Sequence, residues 1–303
     1  MKRDLTKILD LTADECIHLV ERAAFMKRMR QDGREHEPLR RKSLAMIFEK
    51  ASTRTRVSFE LGMKELGGIA LYLSATETQI GRGEPIGDTG KVLSRYVSAI
   101  MIRTYAQETV EELARASSVP VINGLSDLYH PCQMLADLFT VRELKGDFSA
   151  LKIAYIGDAN NVANSWIEAA ALLGLNLVVA FPEAYRPAPV IEKLARKNAN
   201  ILFTHDPREA ADNADVINTD VWVSMGMEKE KNERLKAFTG FGVDDALLAV
   251  AKKDVIVMHC LPAHRNEEIS EPVFERFQDV IFTQAENRLH AQKALLEWLI
   301  LEV

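Results

Sequence analysis

Cysteine is scarce in this sequence: Cys16, Cys132 and Cys260 are the only three in 303 residues. Odd in number and far apart, they make neither a disulfide framework nor a close metal-binding pair, and a reducing cytoplasm fits that usage. No apolar run approaches the roughly 20 residues that a membrane-spanning helix needs. The opening MKRDLTKILDL is broken by Asp4 and Asp10 before a signal-peptide core can form. Positive charge is not in excess either. Thirty-eight Lys and Arg face 44 Asp and Glu, a formal charge of −6, the opposite of a general nucleic-acid footprint. No short-period repeat or low-complexity tract is present. A dinucleotide fingerprint is missing as well: after the apolar run at 152–156 come Gly157, Asp158, Ala159, Asn160 and Asn161, with no G-x-G-x-x-G. That tells against a nicotinamide-dependent oxidoreductase.

What is present is 47% hydrophobic and 27% charged residues, the make-up of a globular protein long enough for two domains. The chain is organised around 43–66, SLAMIFEK followed by ASTRTRVSFELGMKEL. A six-residue apolar run, 43–48, reads as a buried strand. Val57, Leu61 and Leu66 then recur at near-helical spacing, and Gly67 and Gly68 stop the helix. The junction carries Ser52, Thr53, Arg54, Thr55 and Arg56, three hydroxyls and two guanidinium groups at a helix start. Free backbone N–H groups and the positive end of the helix dipole point the same way there. The spacing fits a phosphate or carboxylate cradle built without a P-loop; the plainer alternative is an N-cap followed by solvated arginines.

Around it the chain alternates strands and helices. Thr12 to Glu15 is a capping box opening a helix to about residue 31. Strands are expected at 69–73, 97–102 and 119–122, with Asn123-Gly124 as a turn. The glycine-rich stretch 76–90, containing Gln79, is expected as an exposed lid, intersubunit arm or surface excursion, with a helix from about Asp88. Arg103 ends a buried strand, where open α/β sheets place ligand groups, unless it merely snorkels outward. His130-Pro131-Cys132-Gln133 opens a further helix, presenting His130 and Gln133 one turn apart beside unpaired amides. From Lys152 a βαβ unit begins, followed by strands at 201–204, 216–219, 255–259 and 280–283 and a closing helix at 285–301. The fold class expected is α/β, with two doubly wound parallel sheets flanked by helices.

Four motifs in this order and spacing, STRTR at 52–56, HPCQ at 130–133, DVWVSMG at 220–226 and HCLP at 259–262, resemble the aspartate/ornithine carbamoyltransferase family over essentially the whole chain. The resemblance implies a carbamoyl-phosphate-binding domain at 1–133, an interdomain helix at 134–150, an amino-acid-binding domain at 151–284, and a C-terminal helix, 285–303, packing back on the first. It also implies a homotrimer, or an assembly of trimers, with sites near subunit interfaces. By residue, it assigns carbamoyl-phosphate contacts to Ser52, Thr53, Arg54, Thr55, Arg103, His130, Gln133, Cys260, Leu261 and Arg288, with Gln79 reaching a neighbouring subunit's site. Acceptor contacts fall on Asn161, Asp220, Ser224 and Met225, with Asn161 preferred to Asn160. The catalytic set is Arg54, Arg103, His130, Asp220 and Cys260. DVWVSMG and the HCLP cysteine favour L-ornithine over aspartate, N-acetylornithine or putrescine as acceptor. The implied reaction, carbamoyl transfer to the δ-amine in arginine biosynthesis, needs no metal and no cofactor. Taken without its neighbours, Cys260 reads as a small core residue. A non-catalytic binding protein on the same scaffold is the competing class, and loss of Arg54, Arg103 or Cys260 would signal it; all three are present.

Overall fold

The computed structural model of the chain describes residues 2–223 and 228–301. It divides into two compact units, Met1–Phe139 with Glu286–Val303, and Thr140–Ala285.

Unit 1 holds a four-stranded parallel sheet of β1 (Ser43–Phe48), β2 (Ile69–Ser74), β3 (Ala99–Arg103) and β4 (Val121–Leu125), in the order β2-β1-β3-β4. Its helices are α1 (Ala13–Gln31), α2 (Thr53–Glu65), α3 (Ile86–Leu93), α4 (Gln107–Ala116) and the start of α5 (Pro131–Lys145). Leu44 to Ile47 are fully buried, as a central parallel strand covered on both faces requires. The capping box of α1 forms as read: Thr12 Oγ1 accepts the Glu15 N–H, and Glu15 accepts the Thr12 N–H at 2.8 Å.

Two details of unit 1 differ from the sequence reading. Asn123-Gly124 is not a turn but part of β4. The pairing steps from Ile102–Asn123 to Arg103–Leu125, so Gly124 is the extra residue of a bulge. A Cβ there would sit 2.5 Å from Met101 Sδ and 3.2 Å from the Ile102 carbonyl oxygen, so a larger residue would have to displace the Met101 side chain. The helix expected from Asp88 starts at Ile86, with short 3₁₀ turns filling the stretch before it.

Unit 2 holds five parallel strands, β5 (Lys152–Ile156), β6 (Asn176–Ala180), β7 (Ile201–Thr204), β8 (Val216–Thr219) and β9 (Ile256–His259), in the order β7-β6-β5-β8-β9. Helices α6 (Asn161–Leu173), α7 (Pro189–Ala195), α8 (Pro207–Ala211), α9 (Lys231–Ala237) and α10 (Asp245–Leu248) lie between them. The strand expected at 280–283 is instead inside α11 (Glu271–Leu301), which therefore begins well before residue 285. Val273, Phe274, Ile281 and Gln284 are buried at helical spacing, and no glycine or proline follows Pro272 to interrupt them. Helices α5 and α11 run across the division between the units.

Each sheet reverses its winding once, between β1 and β3 in unit 1 and between β5 and β8 in unit 2. Open α/β sheets bind ligands in the crevice beyond the carboxyl ends of the strands at such points.

Candidate active site

In unit 1 the chain leaves β1 at the reversal and enters α2 with Ser52 as N-cap. Its Oγ accepts the Thr55 N–H at 3.2 Å. Cap and cradle are thus the same residues. Thr55, fully buried on the first turn, accepts at Oγ1 from Ser52 (3.1 Å), Arg288 (3.3 Å) and Arg103 (3.4 Å). Arg103 closes β3 beside the Gly124 bulge and is buried rather than snorkelling. Arg288 also donates to Gln133 Oε1 at 2.7 Å, and the Gln133 amide donates onward to Asp137 at 2.8 Å. Pro131 is the first residue of α5, where a missing N–H costs nothing, so His130 and Gln133 sit at its mouth.

His130 is buried, which pushes its pKa well below the ordinary 6.5; the positive charges of Arg288, Arg103 and Arg54 push it further in the same direction. At neutral pH it is therefore an uncharged imidazole, one nitrogen donating and one accepting, among three guanidinium groups. Lys50, just past β1, is buried too: it pairs with Asp127 and lies 4.1 Å from the centre of the Tyr105 ring. This ties the loop before α2 to the loop leading to His130.

Ser52, Arg54, Thr55, Arg103, His130, Gln133 and Arg288 are therefore brought together. Thr53 is exposed on the first turn of α2. Arg56 turns away to Glu60 (3.3 Å) and the Tyr72 ring (4.0 Å), so the STRTR segment gives the cluster one guanidinium and not two. Gln79 is exposed at the start of the Ile80–Arg82 turn, and none of the cluster's hydrogen bonds runs to it.

In unit 2, β5 ends at Ile156; Gly157 follows with a φ of 139°, which suits glycine, and the chain turns through Asp158 and Ala159 to Asn160. Asn160 is the N-cap of α6: its Oδ1 accepts from Val162 N (2.9 Å) and Ala163 N (3.3 Å). Its amide donates to Asp220 Oδ2 at 2.8 Å. Asp220, directly after β8, takes the Cys260 thiol on its other oxygen, also at 2.8 Å. Asp220 and Cys260 thus meet, and the bridge to α6 comes from Asn160, with Asn161 following as the first helical residue. Ser224 and Met225 lie outside the described residues.

Cys260 lies in the turn directly after β9. His259 Nδ1 accepts the Leu261 N–H at 2.9 Å, leaving Nε2 as the protonated nitrogen, 3.0 Å from Glu268. Leu261 has φ 60° and precedes a cis peptide bond to Pro262. His259 and Glu268 are both fully buried. Asp220, His259 and Cys260 offer ligand atoms within 4.8 Å of one another, yet both His259 nitrogens and both Asp220 oxygens already have partners.

The pairing of Asp158 with Arg234 is legible in the structure alone. Both are buried, and Arg234 also donates to the Trp222 carbonyl and lies 4.6 Å from the Tyr185 ring centre. Burial pushes the Asp158 carboxyl up to about 7, against the pull of Arg234 and with help from the Asp220 charge. In the sequence Asp158 is only a turn residue, and Arg234 one basic residue of a charged helix 76 positions on.

Two family models cover this chain: aspartate/ornithine carbamoyltransferase, carbamoyl-P binding domain, over residues 3–143, and its Asp/Orn binding domain over residues 149–299. The chain belongs to the aspartate/ornithine carbamoyltransferase family. Among its relatives, the ornithine carbamoyltransferase of Methanoculleus marisnigri is 54% identical over 99% of this chain and 97% of its own length. That of Archaeoglobus fulgidus is 55% identical over 97% and 96%. Among solved structures, ornithine carbamoyltransferase from Pyrococcus furiosus superposes with a TM-score of 0.93 at 51% identity, covering 97% of this chain and 96% of that one. The anabolic enzyme of Campylobacter jejuni gives 0.93 at 46%, covering 99% of each. The carbamoyltransferase fold expected from the four motifs is thereby established.

Proposed function

We propose that this chain transfers the carbamoyl group of carbamoyl phosphate to the δ-amino group of L-ornithine, giving L-citrulline and phosphate. The observation that carries the reading is the unit 1 cluster: Arg54, Arg103 and Arg288 gathered round a neutral His130 at the reversal point of a parallel sheet. Such a group of donors matches a phosphoryl group joined to a carbonyl. Full-length relatives that carry the ornithine carbamoyltransferase name support the choice of acceptor.

In this reading Arg54, with Ser52, Thr53 and Thr55, holds the phosphate, while Arg103, His130 and Thr55 face the carbonyl oxygen. Gln133, Arg288, Cys260 and Leu261 complete the carbamoyl-phosphate contacts. The deprotonated δ-amine attacks the carbonyl carbon, and negative charge develops on the oxygen. Donors fixed in advance stabilise that charge without reorganising. The tetrahedral intermediate collapses with loss of the C–O bond to phosphate, which leaves with its electron pair and accepts the amine proton. A neutral His130 donates a hydrogen bond here without adding a fourth positive charge. Orientation of two small polar substrates supplies about 7–11 kcal/mol of barrier reduction.

Asp220 pairs with the α-ammonium group of ornithine, and Cys260, held on Asp220, orients the attacking amine. Asn161, Ser224 and Met225 complete the acceptor contacts. Residues 1–133 with the chain from 285 onward, the later part of α11, form the carbamoyl-phosphate domain, 134–150 the interdomain segment, and 151–284 the ornithine domain. We assign the reaction to arginine biosynthesis in the cytoplasm; among the described residues no helix is long and apolar enough to cross a membrane.

The active form is a homotrimer, or trimers assembled further, with Gln79 serving a neighbouring subunit's site. Support comes from the edge of the unit 1 sheet, where Ile69 and Leu71 on β2 are exposed, as are Val57 and Leu61 on α2. A parallel edge strand with bare apolar side chains is a surface that association would cover.

The test is colorimetric citrulline formation from carbamoyl phosphate, with ornithine, N-acetylornithine, putrescine and aspartate compared as acceptors. Only ornithine should support fast turnover, and Arg54→Ala should abolish it while the fold persists. Equal turnover with aspartate, or full activity in Arg54→Ala, overturns the reading.

A further inference from the structure

Beyond Cys260 the chain makes a tight turn before α11. Glu267 N–H donates to His264 O at 3.1 Å and Asn266 N–H to Ile269 O at 2.8 Å, with Asn266 at φ 66°. This turn places three potential metal ligands, His264 Nδ1 and one carboxylate oxygen each from Glu267 and Glu268, within 4.8 Å of one another. His264 Nδ1 lies 3.7 Å from Glu268 Oε2 and 4.0 Å from Glu267 Oε2.

The two oxygens of Glu268 differ. Oε1 accepts the His264 backbone N–H at 2.6 Å and faces His259 Nε2 at 3.0 Å. Oε2 is buried and accepts no hydrogen bond, although Glu268 is 0% exposed. A carboxylate oxygen buried without a hydrogen-bond partner costs free energy, and this one is directed at the His264 ring nitrogen and the Glu267 carboxylate. We propose that His264, Glu267 and Glu268 form a binding site for one divalent cation of the zinc, cobalt or nickel type, separate from the substrate groups.

The donor set is one imidazole nitrogen and two carboxylates, which suits such ions better than magnesium or calcium. Metal–ligand bonds of about 2.0–2.2 Å hold tetrahedral donors roughly 3.4 Å apart. The partly exposed His264 and Glu267 side chains can close that difference onto the fixed Glu268 oxygen, and their exposed side leaves room for water as a further ligand. The intervening Arg265 stacks on Phe274, its guanidinium carbon 3.3 Å from the ring centre, so its charge is drawn off the site. Lys231 reaches Glu267 on the other oxygen, at 3.3 Å. His259, bonded to Glu268 from behind, is the outer partner that fixes the buried carboxylate. Asp220, His259 and Cys260 form the rival cluster, and a sulfur ligand distinguishes it.

The test is titration of the full-length protein with cobalt(II), followed by visible ligand-field absorption and by near-ultraviolet charge transfer from thiolate to cobalt. One equivalent should bind with ligand-field bands and no thiolate charge transfer, and Cys260→Ser should bind it equally well. His264→Ala and Glu267→Gln, both at partly exposed positions, should each bind at least about tenfold more weakly. The proposal fails if no cobalt binds, if those two variants bind as tightly as the parent, or if a charge-transfer band appears and vanishes in Cys260→Ser.

Discussion

Asp220→Asn separates the charge of the acceptor half-site from its shape. The carboxylate is 6% exposed and takes one hydrogen bond on each oxygen, from Asn160 and from Cys260, both at 2.8 Å. An asparagine has the same outline but turns one acceptor into an NH₂ donor. Facing Asn160 it would set donor against donor. Facing Cys260 it meets a thiol that can rotate and accept weakly, so this orientation wins and the Asn160 bond survives. The structural loss is then small, and what disappears is the negative charge that the proposed function assigns to the ornithine ammonium. A hydrogen bond to a charged group contributes about 1.5–3 kcal/mol, and the upper end applies at a buried site. Three kcal/mol corresponds to roughly a hundredfold fall in kcat/KM for ornithine. Carbamoyl phosphate binding, measured by calorimetry without ornithine, should change much less, since the proposed guanidinium, hydroxyl and imidazole donors of unit 1 are untouched and only the Cys260 thiol loses its acceptor. A fall in kcat/KM for ornithine of less than about fivefold, or a parallel fall in carbamoyl phosphate affinity, refutes this role for Asp220.

Thr55→Val keeps the side-chain shape and removes the oxygen shared by Ser52, Arg103 and Arg288. Its bonds are long, so a loss of about 1–2 kcal/mol is expected, seen as a roughly tenfold rise in KM for carbamoyl phosphate. His130 has its native pKa depressed, so below its ordinary 6.5 the unfolded chain takes up a proton that the native state refuses. Stability attributable to it is therefore present above pH 6.5 and lost as pH falls; urea midpoints between pH 5 and 8 should drop on the acid side, and less steeply in His130→Asn. Arg234→Met leaves Asp158 buried without its partner, a loss of about 3–5 kcal/mol read from chemical denaturation. The Asp158 carboxyl, already raised to about 7, rises further in that variant. A group with a raised native pKa stabilises at low pH and loses that contribution as pH climbs, so the deficit should widen between pH 6 and 9. Leu71→Lys on the exposed edge strand should shift sedimentation toward smaller species.

The parts of the fold legible in the sequence were those where local chemistry and burial agree. The α1 capping box, the Ser43–Phe48 strand and the helix opening at Pro131 all combine a cap or breaker with an apolar pattern of one period. Sequence and structure part where one residue type serves two ends. Asn-Gly favours turns, yet Gly124 is a bulge because β3 presses Met101 against it. Val280 to Thr283 is β-branched and apolar, yet helical burial on both sides carries α11 straight through it. Ser52, Thr55, Arg103 and His130 stood out because each sits at a strand end or helix start. Arg234, Glu268 and the Asn160 bridge did not, since their partners are distant in sequence or supplied by folding, and no local spacing marks a residue that acts through a neighbour.

That difference bears on how the chemistry is held. The side chains assigned to substrates are rarely tied by their own backbone alone. Thr55 is reached from β3 and α11, Gln133 is fixed by Arg288 and Asp137, and Asp220 is held by α6 and by the turn after β9. Each bond fixes a rotamer before substrate arrives, so the entropy of ordering belongs to folding and not to the reaction. Arginine suits this use because its planar fork can bond a protein acceptor with one edge and keep N–H groups on another edge for an oxyanion. Lysine at position 103 or 288 would retain the charge but not both engagements. It follows that Arg103→Lys and Arg288→Lys should lose most of the activity that the corresponding alanine variants lose, because fixed direction, more than net charge, is what these residues contribute.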